Sequence, residues 1–88
     1  MNKEKQDAVK ALKISKGQIE AIIKMIEDER YCVDISNQII AAQSLLKKAN
    51  MLILKQHMHH CVKDAFKEGN EDKKIEEIIE LLSKISGK

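Results

Sequence analysis

Proline is absent from this 88-residue chain, glycine occurs three times, and Tyr31 and Phe66 are its only aromatic side chains. So small a supply of turn formers, and of β-favouring residues other than isoleucine, excludes a sheet-rich fold and predicts an all-α one. No stretch approaches the roughly 18 to 20 apolar residues of a membrane span, and the first residues carry no apolar signal core. A cytoplasmic protein is expected. Residues 1–88 make one domain, and a lone three-helix monomer of that size buries too little apolar surface to be comfortably stable, so oligomerisation is expected. No polar constellation beyond the candidate metal ligands pairs a nucleophile with a base, which argues against an enzyme. The net charge of +2 is too small to establish nucleic-acid binding.

What is present is helical periodicity. Val9, Leu12, Ile19, Ile22, Ile23 and Ile26 recur at helical spacing and predict a first helix over about residues 4–28. Gly17 interrupts it, and a glycine costs about 1 kcal/mol there against alanine, which suggests close approach of another backbone. The charged cluster Glu27-Asp28-Glu29-Arg30 marks a short connection. One long apolar segment then runs from 31 to 67, with Ile35, Ile39, Leu45, Leu46, Leu52, Ile53, Val62 and Phe66 covering more than one face, as in a helix buried by several neighbours. Ala41, Ala42 and Ala49 flank Leu45 and Leu46, and such small residues predict a close crossing of two copies of this helix there. Gly69 is a C-terminal stop and Asn70 an N-cap for a last helix over 71–85, carrying Ile75, Ile78, Ile79, Leu82 and Ile85.

Two thiols and an imidazole, Cys32, His57 and Cys61, form the chemically most informative set. In a reducing compartment the cysteines are read as thiolates available for metal or redox chemistry. His57 and Cys61 share one helix face, whereas Cys32 would stand about 37 Å from His57 on one straight helix at 1.5 Å per residue. An antiparallel copy from a second chain brings Cys32 of one subunit beside the other two ligands, so a site built across a dimer interface, occurring twice, is expected. The donor set suits Cu(I) and also Zn(II), which prefers a fourth ligand. His59 and His60 are spare ligands by type but are read as surface side chains, and Met25, Met51 and Met58 as core filler. A bound imidazole gives its second nitrogen to an acceptor, a role open to Tyr31 and to Glu76 or Glu77. Five lysines against two acids in residues 1–19, and Lys47, Lys48, Lys55 and Lys63 with no acid in residues 47–63, are suited to phosphate. Solvated lysines on helix surfaces account for them equally well.

These residues resemble the CsoR, or DUF156, family of small bacterial three-helix regulators. The likeness runs through Gly17-Gln18, the segment from Asp28 to Asp34 containing Tyr31-Cys32, Gln38-Ile39, and His57-Met58-His59-His60-Cys61-Val62. It implies a three-helix protomer with a long central helix, an antiparallel homodimer paired into a homotetramer, and operator DNA as partner. It further implies intersubunit Cu(I) ligation by Cys32, His57 and Cys61, with Tyr31 and Glu77 behind the ligands, and release of DNA on copper binding so that resistance genes are derepressed. The family's nickel and cobalt branch carries His in place of Cys61, and its persulfide-sensing branch lacks the His at 57. Ala11 stands where the family usually has Arg, and Glu20 where Gln-x-Arg-Gly often appears. Lys10, Lys13, Lys16, Lys47 and Lys48 remain as phosphate contacts. A copper buffer or carrier that does not bind operator DNA, or a thiol or persulfide sensor, is the alternative.

Overall fold

The computed structural model describes residues 1–59 and 63–85. Among them the chain is all-α, with α1 (Lys3–Glu27), α2 (Cys32–His57), α3 (Lys63–Glu68) and α4 (Glu71–Ile85). The first and last helices begin and end within a residue of their sequence-based bounds. The segment expected as one helix over 31–67 is described as α2 and the short α3, with a wider, π-type turn at Met58 and His59. His60, Cys61 and Val62 lie outside the described residues.

Local chemistry explains the helix ends. Asn2 caps α1 by accepting a 2.9 Å hydrogen bond from the Lys5 N–H, and Glu4 in the first turn and Lys24 in the last complement the helix dipole. At the other end the Arg30 N–H donates to the Met25 carbonyl at 2.9 Å and the Glu29 N–H to that of Ile26 at 3.0 Å, the pattern that closes a helix through a left-handed residue. That residue is Glu29, with φ of 56°. Gly69 ends α3 in the same conformation, φ 81°, and the Asn70 carbonyl accepts the first hydrogen bond of α4 from Lys74.

The turn at 28–31 folds α1 back antiparallel along α2, and this contact dominates the protomer. Its centre is made of small residues. Ala8, Ala11 and Ala49 are 1 to 5% exposed and pack with Leu45 and Leu52, Ala42 is buried further along, and Ser15 is buried with its hydroxyl donating to the Ala11 carbonyl at 3.0 Å. Ala42 and Ala49 are buried against α1 within one chain, and a Cβ added at Gly17 would meet nothing within 4 Å, so among the described residues no backbone of the same chain approaches it. Of the apolar residues whose spacing predicted α1, Ile22 alone is buried. Val9, Leu12, Ile19, Ile23 and Ile26 are 37 to 56% exposed, because a two-helix layer buries one narrow stripe and alanine fills it.

The resulting shape is long and thin, 56 × 30 × 13 Å with a radius of gyration of 17.0 Å, against about 12 Å for a compact chain of this length. The accessible surface is 6807 Å², whereas a compact 10.0 kDa monomer exposes about 5,200 Å². α4 adds a light contact against the back of α2, where Leu54 and Ile78 are buried. No helix among the described residues is long and apolar enough to cross a membrane.

A left-handed conformation strains any residue with a Cβ. Glu29→Gly is therefore expected to stabilise the fold by about 0.5–1 kcal/mol, the relief of strain exceeding the added freedom of the unfolded chain. Urea unfolding at a single protein concentration checks this, and a loss of stability would contradict it.

Candidate metal centre and basic edge

Cys32 and His57 are the first and last residues of the 26-residue α2, about 37 Å apart at 1.5 Å per residue. Counted at about 100° per residue, both fall on the side of α2 that carries Ile39, Leu46 and Ile53. The row Cys32, Ile39, Leu46, Ile53 repeats at heptad spacing, and His57 follows one turn after Ile53. This side flanks the alanine contact with α1, next to the exposed Leu12, Ile19 and Ile23. Cys32 is a free, exposed thiol, and His57 is half-buried. Among the described residues no three His, Cys, Asp or Glu side chains gather as a metal site within the chain, and Cys61 lies outside those residues.

The outer residues are dispersed in the same way. Tyr31 is 68% exposed at the start of α2. Glu77 is half-buried on α4 and receives an ion pair from Lys74 at 3.7 Å, while Glu76 is exposed. Such a partly exposed i, i+3 pair is worth about 0–1 kcal/mol and orients the carboxylate without trapping it. The spacing of Lys74 from Glu77 is the sequence signal for this partner. His59 is exposed and Met58 half exposed; Met51 and Met58 line an open groove of about 480 Å³ between α2 and α4 with Leu54, Ile78 and Leu82, so neither is the core filler expected from the sequence.

Lys10, Lys13, Lys16, Lys47 and Lys48 are all exposed. The structure brings two of them together. Lys10 and Lys48 wall a cleft of about 290 Å³ between α1 and α2, with Ile14, Leu45 and Leu52 around it, Ala11 at its floor and Asp7 at its rim. Lys13, Lys16 and Lys47 line other surfaces. The cleft opens on the edge of the hairpin opposite Leu12, Ile19 and Leu46, so the basic edge and the face bearing Cys32 and His57 are separate surfaces of one two-helix layer.

A family model described as "Metal-sensitive transcriptional repressor" matches residues 4–84. The chain belongs to this family. It is 40% identical over 85 residues to the copper-sensing transcriptional repressor CsoR of Bacillus subtilis, covering 97% of this chain and 84% of that protein. It is 37% identical to the CsoR of Mycobacterium tuberculosis strain H37Rv, over 89% of this chain and 66% of the longer relative. Among solved structures, the copper-sensing repressor CsoR with Cu(I) from Geobacillus thermodenitrificans NG80-2 superposes with a TM-score of 0.84 at 35% identity, over 98% of this chain and 90% of that one. The nickel-responsive transcriptional regulator InrS superposes with a TM-score of 0.73 at 30% identity, over 91% and 90%. The family is one of transcriptional repressors, not enzymes, and metal sensing on a CsoR-like helical fold follows for this chain.

Ala11, where the resemblance sets an Arg, is buried at its Cβ but opens into the space between Lys10 and Lys48. A guanidinium stem can lie along Ile14 and Leu45 with its head in water beside Asp7. Ala11→Arg is therefore expected to change stability by less than about 1 kcal/mol; a loss of several kcal/mol in urea unfolding would show that the cleft does not admit the side chain.

Proposed function

We propose that this protein is a cytoplasmic Cu(I)-responsive transcriptional repressor, one domain per chain, acting as a homodimer that pairs into a homotetramer. The observation that supports it best is the placement of Cys32 and His57 at opposite ends of α2 on one exposed apolar side. An antiparallel second copy laid on that side brings Cys32 beside the partner subunit's His57, with Cys61 one further turn along the sequence. Cys32, His57 and Cys61 are the proposed ligands. Tyr31 and Glu77 are proposed to orient the imidazole, with Glu77 exchanging Lys74 for the ring nitrogen.

The chemistry of the donors favours Cu(I). Two thiolates and one imidazole satisfy a soft, three-coordinate ion, whereas Ni(II) prefers nitrogen and oxygen donors in a tetragonal array. Zn(II) prefers four ligands in a closed site, and the nearby His59 is exposed on the far side of the helix from His57.

Operator DNA is proposed to lie against the basic edge, with Lys10 and Lys48 as central phosphate contacts and Lys13, Lys16 and Lys47 around them. No helix-turn-helix is formed among the described residues, so sequence preference would come from DNA shape. Metal and DNA then bind different surfaces of one hairpin. The metal releases DNA only if it favours a subunit arrangement that DNA disfavours, and DNA must weaken metal binding by the same factor. A copper buffer or carrier is the second reading, favoured by Ala11 where the resemblance sets an Arg and by Glu20 where it sets Gln-x-Arg-Gly.

The test is to titrate DNA from upstream of the protein's own gene with apo-protein and then add Cu(I). The repressor reading expects binding whose affinity falls steeply with salt, dissociation on Cu(I) addition, and a salt slope smaller by about 1 per DNA-contacting subunit for each of Lys10→Ala and Lys48→Ala. Absence of apo binding at low salt would leave the buffer or carrier reading. His57→Ala is expected to lower Cu(I) affinity by about 100-fold or more; an intact response would favour a thiol or persulfide sensor instead.

A further inference from the structure

The exposed apolar side of the α1–α2 hairpin is not uniformly apolar. Leu12, Ile19 and Ile23 from α1 and Ile39, Leu46 and Ile53 from α2 are 39 to 52% exposed along it. Two shallow grooves cross it and meet at Leu46. One, of about 210 Å³, carries Ile19, Ile23, Ile39 and Gln43; the other, of about 370 Å³, carries Leu12, Asn50 and Ile53. Each groove thus holds one amide, Gln43 or Asn50. Both are exposed, and neither has a hydrogen-bond partner among the described residues.

The arrangement is self-complementary. An axis of two-fold symmetry at Leu46 sets Ile39 opposite the partner subunit's Ile53, with Leu46 meeting its own copy. Gln43 and Asn50 lie at equal distances either side of the Leu46–Lys47 peptide, half a residue from that axis, so each falls within one residue of the other's counterpart. Cys32 then falls level with the stretch that follows the partner subunit's His57. The surface in excess of a compact monomer, about 1,600 Å², is more than the roughly 800 Å² that each partner contributes to a standard interface. The occupant this face fits is a second copy of the chain, in an isologous contact.

We infer that Gln43 hydrogen-bonds to the partner subunit's Asn50 across this axis, and that the amide pair, formed twice, sets the register of the dimer and with it the approach of Cys32 to the partner subunit's His57. This rests on the dimeric reading proposed above. An amide supplies both a donor and an acceptor, so two facing amides satisfy each other. A slip of one helical turn sets Gln43 against the partner subunit's Ile53 or Leu46 and Asn50 against its Leu46 or Ile39, so each amide is pressed against an apolar side chain and its lost water contacts go unreplaced. A single polar residue in an otherwise apolar helical seam excludes such slips at a cost in stability, as in coiled coils.

A charge-pair cycle on the full apo chain under reducing conditions tests this. Gln43→Glu, Asn50→Lys and the two together are compared with the wild type by sedimentation equilibrium. Where dimers are too tight for that method, the concentration dependence of the urea midpoint replaces it. Each single substitution is expected to raise the dimer dissociation constant about tenfold. The combined variant is expected to return within about threefold of wild type at low salt, because each new carboxylate meets a new ammonium on the partner, and to lose that recovery at high salt. All four positions in the dimer are exposed in the single chain, so helix content by circular dichroism should not change. A combined effect equal to the product of the single effects, or no effect of either, would overturn the amide pair while leaving the metal-response reading to its own DNA titration. A monomeric wild type would overturn both the pair and the intersubunit site.

Discussion

The protomer depends on one contact, the close packing of α1 on α2 through Ala8, Ala11, Ala42 and Ala49. Alanine lets two helices approach closely but offers little apolar area, so the contact fixes geometry while leaving the larger side chains outside it. Leu12, Ile19, Ile23, Ile39, Leu46 and Ile53 are left on an open face, and exposed apolar area of this extent in a small chain marks an interaction surface. The thin hairpin is therefore half of a core, and a second hairpin laid on it would complete a four-helix layer of ordinary thickness.

The same contact separates two chemistries. Cys32 and His57 lie at the ends of the open apolar face, whereas Lys10 and Lys48 meet on the opposite edge, over Ala11. Metal and phosphate then have no shared side chain through which to compete. Any antagonism between them must pass through the relative placement of whole subunits, in a family that senses metals and represses transcription. α4 lies against α2 near its C-terminal end, and Glu77, paired loosely with Lys74, is the side chain on it proposed to orient the ring of His57.

Helix positions were legible because their determinants are local: Asn2 as a cap, the charged turn before Tyr31, Gly69 and Asn70 before the last helix. The family was legible from the residues around Cys32 and His57. The core was not. Period alone marks Val9, Leu12, Ile19 and Ile23 as inward-facing, but it cannot tell burial within a chain from burial between chains, and the alanines that fill the actual seam carry little hydrophobic signal. For the same reason the burial of Ala42 and Ala49 against α1 was not legible. Gly17 meets no neighbour in its own chain, and nothing in the structure explains it. Among the basic residues, only the fold reveals that Lys10 and Lys48, far apart in sequence, share a cleft.

The claim on which the account turns is that one site draws ligands from two chains, and subunit mixing tests it most directly. Cys32→Ala protein and His57→Ala protein should each fail to hold Cu(I) against a competing chelator. Unfolded together and refolded, they should recover close to one site per mixed dimer, because one of its two interfaces keeps both Cys32 and the partner's His57. If mixing restores no Cu(I) binding although mixed dimers form, the ligands do not meet across subunits and the account is wrong.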